Sequence, residues 1–187
     1  MLLLSLDLST SVGWALFRDG LLIDQGQFEQ VKIRDFNVNA HPNQSAHYPG
    51  NIFDAAYVVA GMCADKIDAV KPDHVVVENT VKGRNRHTQK TLEWIHFTVL
   101  TEITERQIPF TYIDPSEWRS ILDIRLSAAD KANNKDVKKG VKRGKINRKH
   151  LAIRYCNKKY GLSLLVKHDD LADAICLGEA YLKKYQK

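Results

Sequence analysis

The chain has 187 residues, with 28 lysines and arginines against 22 aspartates and glutamates, for a net charge of +6. That length suits a single domain over residues 1–187 with room for a sizeable core. No apolar run reaches the roughly 18 residues of a membrane span, and Met1–Leu4 is too short and lacks a basic leader for a signal peptide, so a cytoplasmic protein is expected. Leu2–Asp7 reads as a strand, Gly13–Arg18 as a second, and Asp19-Gly20 as the hairpin turn into Leu21–Phe28. Residues from about Val31 to Gly50 are polar and aperiodic, so a loop is expected. Asn51–Val70 carries apolar residues at helical spacing, and His74–Glu78 is a fourth strand. Thr88–Arg106 is a long helix with Leu92, Ile95, Val99, Leu100 and Ile103 along one face, and Phe110–Ile113 is a fifth strand. Asp114-Pro115-Ser116-Glu117 starts a helix with Asp at the N-cap and Pro at the first helical position. Arg148–Tyr160 is helical and stopped by Gly161, and Asp170–Tyr185 is the last helix, with Asp169 as its cap.

The cysteines, Cys63, Cys156 and Cys176, are odd in number and sit in apolar stretches, which suits core thiols in a reducing compartment and matches no zinc spacing. Charge is uneven. Between Lys131 and His150 lie nine basic residues and one acid, Asp136, whereas the rest of the chain holds 19 basic and 21 acidic residues. Such a block is the footprint of a polyanion partner, with a solvated loop as the bland alternative. Asn133-Asn134, Gly140 and Gly144 suggest a segment that orders only around phosphate. The residues expected to bind DNA phosphates there are Lys138, Lys142, Arg143, Lys145 and Arg148. A second basic group, Lys82, Arg84, Arg86 and Lys90, follows Glu78 directly.

Four acids are placed for chemistry. Asp7 and Glu78 end two apolar strands, and ligands of an open α/β sheet sit beyond such carboxyl ends. Asp170 and Asp173, three apart, share one helix face. Clustered carboxylates repel one another, and hard divalent cations are the ordinary remedy. Two such ions, about 3.5–4 Å apart, activate a water and steady the leaving oxygen in phosphoryl chemistry. Asp7 is placed to bridge them, Glu78 and either Asp170 or Asp173 to complete each, with His168 and Asp169 in reserve. Magnesium is expected, with manganese an acceptable substitute. Three of them also have a plainer reading: a turn acceptor for Asp7, a helix-terminus charge for Asp170, an ion pair with Arg84 or Arg86 for Glu78.

Three hairpin strands followed by helix, strand, helix and strand give the order of the ribonuclease H-like α/β fold, a mixed five-stranded sheet flanked by helices. Leu6-Asp7-Leu8-Ser9-Thr10 with Gly13-Trp14-Ala15, then Val77-Glu78-Asn79, then Asp170-Leu171-Ala172-Asp173-Ala174 resemble the RuvC family of Holliday-junction resolvases in order and spacing. The tract Ile113-Asp114-Pro115-Ser116-Glu117-Trp118-Arg119 is similar to the family's segment after its fifth strand. The long polar stretch and enlarged basic block suggest a divergent phage or viral type. The resemblance implies a magnesium-dependent homodimer that nicks opposing strands of a four-way DNA junction, with Asp7, Glu78, Asp170 and Asp173 as the acidic tetrad. One departure is Val81, where many members carry an aromatic residue for stacking on junction bases; His87 and Trp94 are the rings nearby.

Three other readings compete. A ribonuclease on RNA–DNA hybrids uses the same metal chemistry. A nucleotide-binding domain of the actin and sugar-kinase type needs a second such domain and a glycine-rich loop. A non-catalytic DNA-binding module of this fold predicts a lost acid.

Overall fold

The computed structural model describes residues 1–32, 49–79, 86–140 and 144–186. Most of the polar stretch, Val81, and the basic residues Lys82, Arg84, Lys142 and Arg143 lie outside the described residues.

Five strands, β1 (Leu2–Asp7), β2 (Gly13–Arg18), β3 (Leu21–Gln27), β4 (His74–Glu78) and β5 (Phe110–Ile113), form one mixed sheet in the order β3-β2-β1-β4-β5. The three hairpin strands are antiparallel, and β4 and β5 add in parallel beside β1. The first turn is as expected: Asp19 and Gly20 both take positive φ, the requirement of the tight hairpin turn that matches strand twist. Around the sheet lie α1 (Gly50–Val70), α2 (Arg86–Glu105), α3 (Pro115–Ile121), α4 (Ala128–Lys138), α5 (Arg148–Tyr160) and α6 (Asp169–Tyr185), with a short 3₁₀ turn at Val166–His168.

Strand alternation divides the core in two. Leu4, Leu6, Leu16, Val75 and Val77 pack with Ala56, Val59 and Ile67 of α1 and Ile95, Val99 and Ile103 of α2. On the opposite face Leu3, Phe17 and Val76 pack with Ile175, Leu177 and Tyr181 of α6 and with Trp118 of α3. The apolar stripe of α2 is therefore core in large part. Both faces of β1 and β4 are covered, as their unbroken apolar runs require.

The basic block departs from expectation. Its first half is helix α4, fixed by a reciprocal capping box between Ser127 and Asp130. Asn134 grips Ile146 at both backbone groups, donating to its carbonyl and accepting from its N–H at 2.8 Å each. The asparagine expected to loosen this segment instead pins its far end. Helix α5 ends at Gly161 in the left-handed region, as read. Two cap assignments are corrected. Asp114 occupies the N-cap position of α3, but its side chain accepts from Asn79 Nδ2 at 2.8 Å and does not cap. Asp169 is the first residue of α6 and pairs with Lys149, leaving His168 at the cap position.

Candidate active site

The placement of the acids follows from residue parity. Residues 3, 5 and 7 of β1 face α6, and so do 74, 76 and 78 of β4: Ser5 Oγ donates to the Ala174 carbonyl of α6 at 2.6 Å, and the His74 ring stacks on Tyr181 with centroids 4.8 Å apart. Leu6 pairs with Val77 across the two parallel strands, so Asp7 and Glu78 end neighbouring strands on the same face. Helix α6 brings the other two acids because it lies unusually close to the sheet. A Cβ on Gly13, the partner of Asp7 in β2, would stand 2.1 Å from the Asp170 carbonyl oxygen, and one on Gly178 would meet Phe17 at 2.3 Å. Only glycine permits these approaches.

The charges of the four acids act on one another. Burial holds the Asp7 carboxyl well above its usual range, and the charges of Glu78, Asp173, Asp170 and Asp169 push it further. Burial and Glu78 drive Asp173 up to about 7, against the opposing pull of Arg119. Burial also raises Glu78 and Asp170, the latter with help from Asp169. This is the signature of like charges crowded out of water.

Glu78, Asp170, Asp173 and the adjoining Asp169 are each held by a neighbour that the sequence does not single out for that role. Trp118, fully buried on α3, donates its indole N–H to Glu78 Oε2 at 2.6 Å. Arg119, the next residue, reaches Asp173 Oδ2 at 3.4 Å and lies over the Trp118 ring at 4.3 Å. Ser9 Oγ donates to Asp170 Oδ2 at 3.2 Å, and Lys149 at the start of α5 pairs with Asp169. Glu78 is thus bonded to a tryptophan rather than paired with Arg86. His168 uses Nδ1 to accept the Leu165 N–H at 3.1 Å, which ties it to its own turn. The one available signal was the tract through Trp118-Arg119, which a single sequence reads as an ordinary core-facing helix.

The donor set suits a hard cation: every candidate ligand is a carboxylate oxygen, and Asp173 Oδ1 is buried with no hydrogen-bond partner. As the side chains stand, no three described His, Cys, Asp or Glu groups are arranged to hold one ion. The acids are gathered, with several of their oxygens turned to Trp118, Arg119, Ser9 and Lys149.

Of the expected phosphate-binding residues, Arg86, Lys138, Lys145 and Arg148 are exposed and Lys90 is half-buried. Arg86 and Lys90 open α2, the element that follows Glu78. Arg148 opens α5 beside Lys149, which brings the basic segment to the acid-bearing edge of the sheet. No described helix is long and apolar enough to cross a membrane.

No family model and no curated protein matches the sequence. Solved structures do match. Thermus thermophilus RuvC, in a complex with a Holliday junction substrate, superposes with a TM-score of 0.63 at 13% identity, covering 98% of this chain and 93% of that one. The yeast mitochondrial Holliday junction resolvase Ydc2 gives 0.53 at 14% identity, covering 97% of this chain and 77% of its own. The fowlpox virus resolvase, solved with Holliday junction DNA, gives 0.53 at 14% identity with both chains covered in full. The sheet order, the covering helices and these superpositions establish a RuvC-like α/β fold for this chain.

Proposed function

We propose that this protein is a metal-dependent endonuclease that resolves four-way DNA junctions by paired symmetric nicks. The observation that carries this reading is the convergence of Asp7, Glu78, Asp170 and Asp173 at one sheet edge, in a fold shared with resolvases that are only 13–14% identical. Those four carboxylates would hold the cations, magnesium or manganese, whose contribution at such a site is to activate water and offset charge on the leaving oxygen. The chain's own residues do the positioning. Trp118 fixes the Glu78 carboxylate, Ser9 steadies Asp170, and Arg119 offsets the Asp173 charge near the sheet end. Arg86, Lys138, Lys145 and Arg148 present exposed cations that draw in DNA phosphates without reading sequence.

A homodimer belongs to the same proposal, because two opposing strands call for two active sites related by a two-fold axis. What supports it on this chain is the outer face of α1 and α2. There Tyr57 and Phe97 are 66% and 73% exposed, Phe53 stacks on Tyr57 with centroids 6.3 Å apart, and Trp94 meets Phe53 edge-on at 5.9 Å. An aromatic patch of this kind on a soluble surface marks an interface. Sedimentation equilibrium should show a dimer for the wild type and a monomer for Tyr57→Ser/Phe97→Ser.

The test of the activity is incubation with a labelled four-way junction and magnesium beside linear duplex and RNA–DNA hybrid. Paired nicks at symmetric positions in the junction alone are expected. Preferential cutting of the hybrid would replace the resolvase reading with a ribonuclease one.

A further inference from the structure

A chain of hydrogen bonds enters the acid cluster from β3, the strand at the edge of the sheet. Gln27, the last residue of β3, donates from Nε2 to Ser11 Oγ at 2.6 Å. The Ser11 backbone N–H donates to Ser9 Oγ at 2.9 Å, and Ser9 Oγ donates to Asp170 Oδ2 at 3.2 Å. Ser9, Ser11 and Gln27 are all half-buried. The backbone beyond β3 grips the same loop. Phe28 N–H donates to the Val12 carbonyl at 2.9 Å, and Val31 N–H to the Thr10 carbonyl at 2.7 Å. In the sheet Gln27 lies opposite Gly13, which lies opposite Asp7, so the chain of bonds starts level with the acid that ends β1.

The direction of the bonds follows from what a hydroxyl can do. Serine has one proton and two lone pairs. The Ser11 N–H can only donate, so it takes a lone pair of Ser9 and leaves the Ser9 proton for Asp170. A serine bonded to the backbone two residues on makes only a weak turn by itself. Gln27, tied to the Ser11 side chain, keeps that turn from relaxing. With Oδ2 committed to Ser9, the Asp170 carboxylate is fixed in orientation. We propose that Gln27 is a positioning residue for the cation site, acting through Ser11 and Ser9 on the Asp170 carboxylate. The proposal rests on the reading of the four acids as cation ligands, and it extends the support of that site to the edge of the sheet.

Melting temperature titrated with magnesium, in the absence of DNA, reports metal affinity without any cutting. Ser9→Ala should raise the magnesium midpoint by about tenfold or more, the usual cost of losing a group that orients a metal ligand. Gln27→Leu acts from further back and should raise it by about threefold. Gln27→Met, closer to glutamine in shape, should do the same. The double variant Ser9→Ala/Gln27→Leu should match Ser9→Ala alone, because a group that works through Ser9 then has nothing left to act on. Melting without metal verifies that each variant folds. An unmoved midpoint in both Gln27 variants overturns the relay, as do effects of the two substitutions that multiply in the double variant; Gln27 would then only close the loop. A wild type whose melting ignores magnesium would instead overturn the cation reading, and the relay with it.

Discussion

The two faces of the sheet obey different rules, and the difference separates stability from chemistry. Against α1 and α2 the sheet packs leucine, valine and isoleucine, and the polar pair His96 and Tyr112 bond each other at 2.9 Å. That face is built to be stable. Against α6 the sheet presents Ser5, Asp7 and Glu78, and two glycines let the helix close in. There five carboxylates share a partly dry space, and several raise one another's proton affinity. That face tolerates strain at one end, the usual mark of a site held ready for something to bind.

Substitutions on each face should divide accordingly. The largest effect is expected from Asp7→Asn, which should cut junction nicking by about a thousandfold or more while leaving junction binding in place. Unaltered nicking would remove Asp7 from the site. On the other face Ile95→Ala should cost about 2–5 kcal/mol by leaving a cavity, with the nicking rate per folded molecule unchanged. Chemical denaturation beside a single-turnover assay checks both halves.

The faces should also answer pH in opposite directions. Burial depresses His96 to about 4, so the folded state binds fewer protons than the unfolded chain and loses stability as pH falls from about 6.5 toward 4. Burial and Glu78 raise Asp173 to about 7, so the fold takes up protons there. That contribution is fully present below the unfolded carboxylate value and is lost as pH rises through about 7. Melting in chelator from pH 4 to 8 should show His96→Asn less sensitive to acid and Asp173→Asn less sensitive to the rise toward pH 8. The same slope in both variants would dissolve the contrast.

Trp118→Phe keeps most of the ring volume and removes the N–H that holds Glu78. It should slow nicking by about tenfold to a hundredfold, the usual cost of losing a group that orients a metal ligand. Phenylalanine here with full activity would show that Trp118 only fills space. The smallest effect belongs to exposed Lys145→Ala, which should reduce the salt slope of junction binding by about one and leave melting unchanged.

Much of this was legible in the residues. The apolar runs ended by Asp7 and Glu78 mark strands because such runs, cut off by turn signals, suit only a sheet covered on both sides, and β1, β2, β4 and β5 have the expected ends. The three-residue spacing of Asp170 and Asp173 gives their shared helix face. Helix α4 was obscured because a lysine-rich stretch with paired asparagines has the composition of a solvated loop. The local signal against that was Ser127 three residues before Asp130, the capping box that starts the helix. The partners of the acids were out of reach for a different reason. Trp118 meets Glu78, and Lys149 meets Asp169, only after α3 and α5 dock, and no local pattern encodes a contact between residues 40 and 20 positions apart.

The central claim is that the crowded carboxylates on the α6 face form a cation site, and thermal melting with and without millimolar magnesium tests it most directly. Metal-free Asp7→Asn should melt above the wild type at neutral pH, because one buried like charge is gone. Magnesium should then raise the melting temperature of the wild type by several degrees and that of Asp7→Asn by little. Equal shifts in the two proteins, or none in either, would contradict the account.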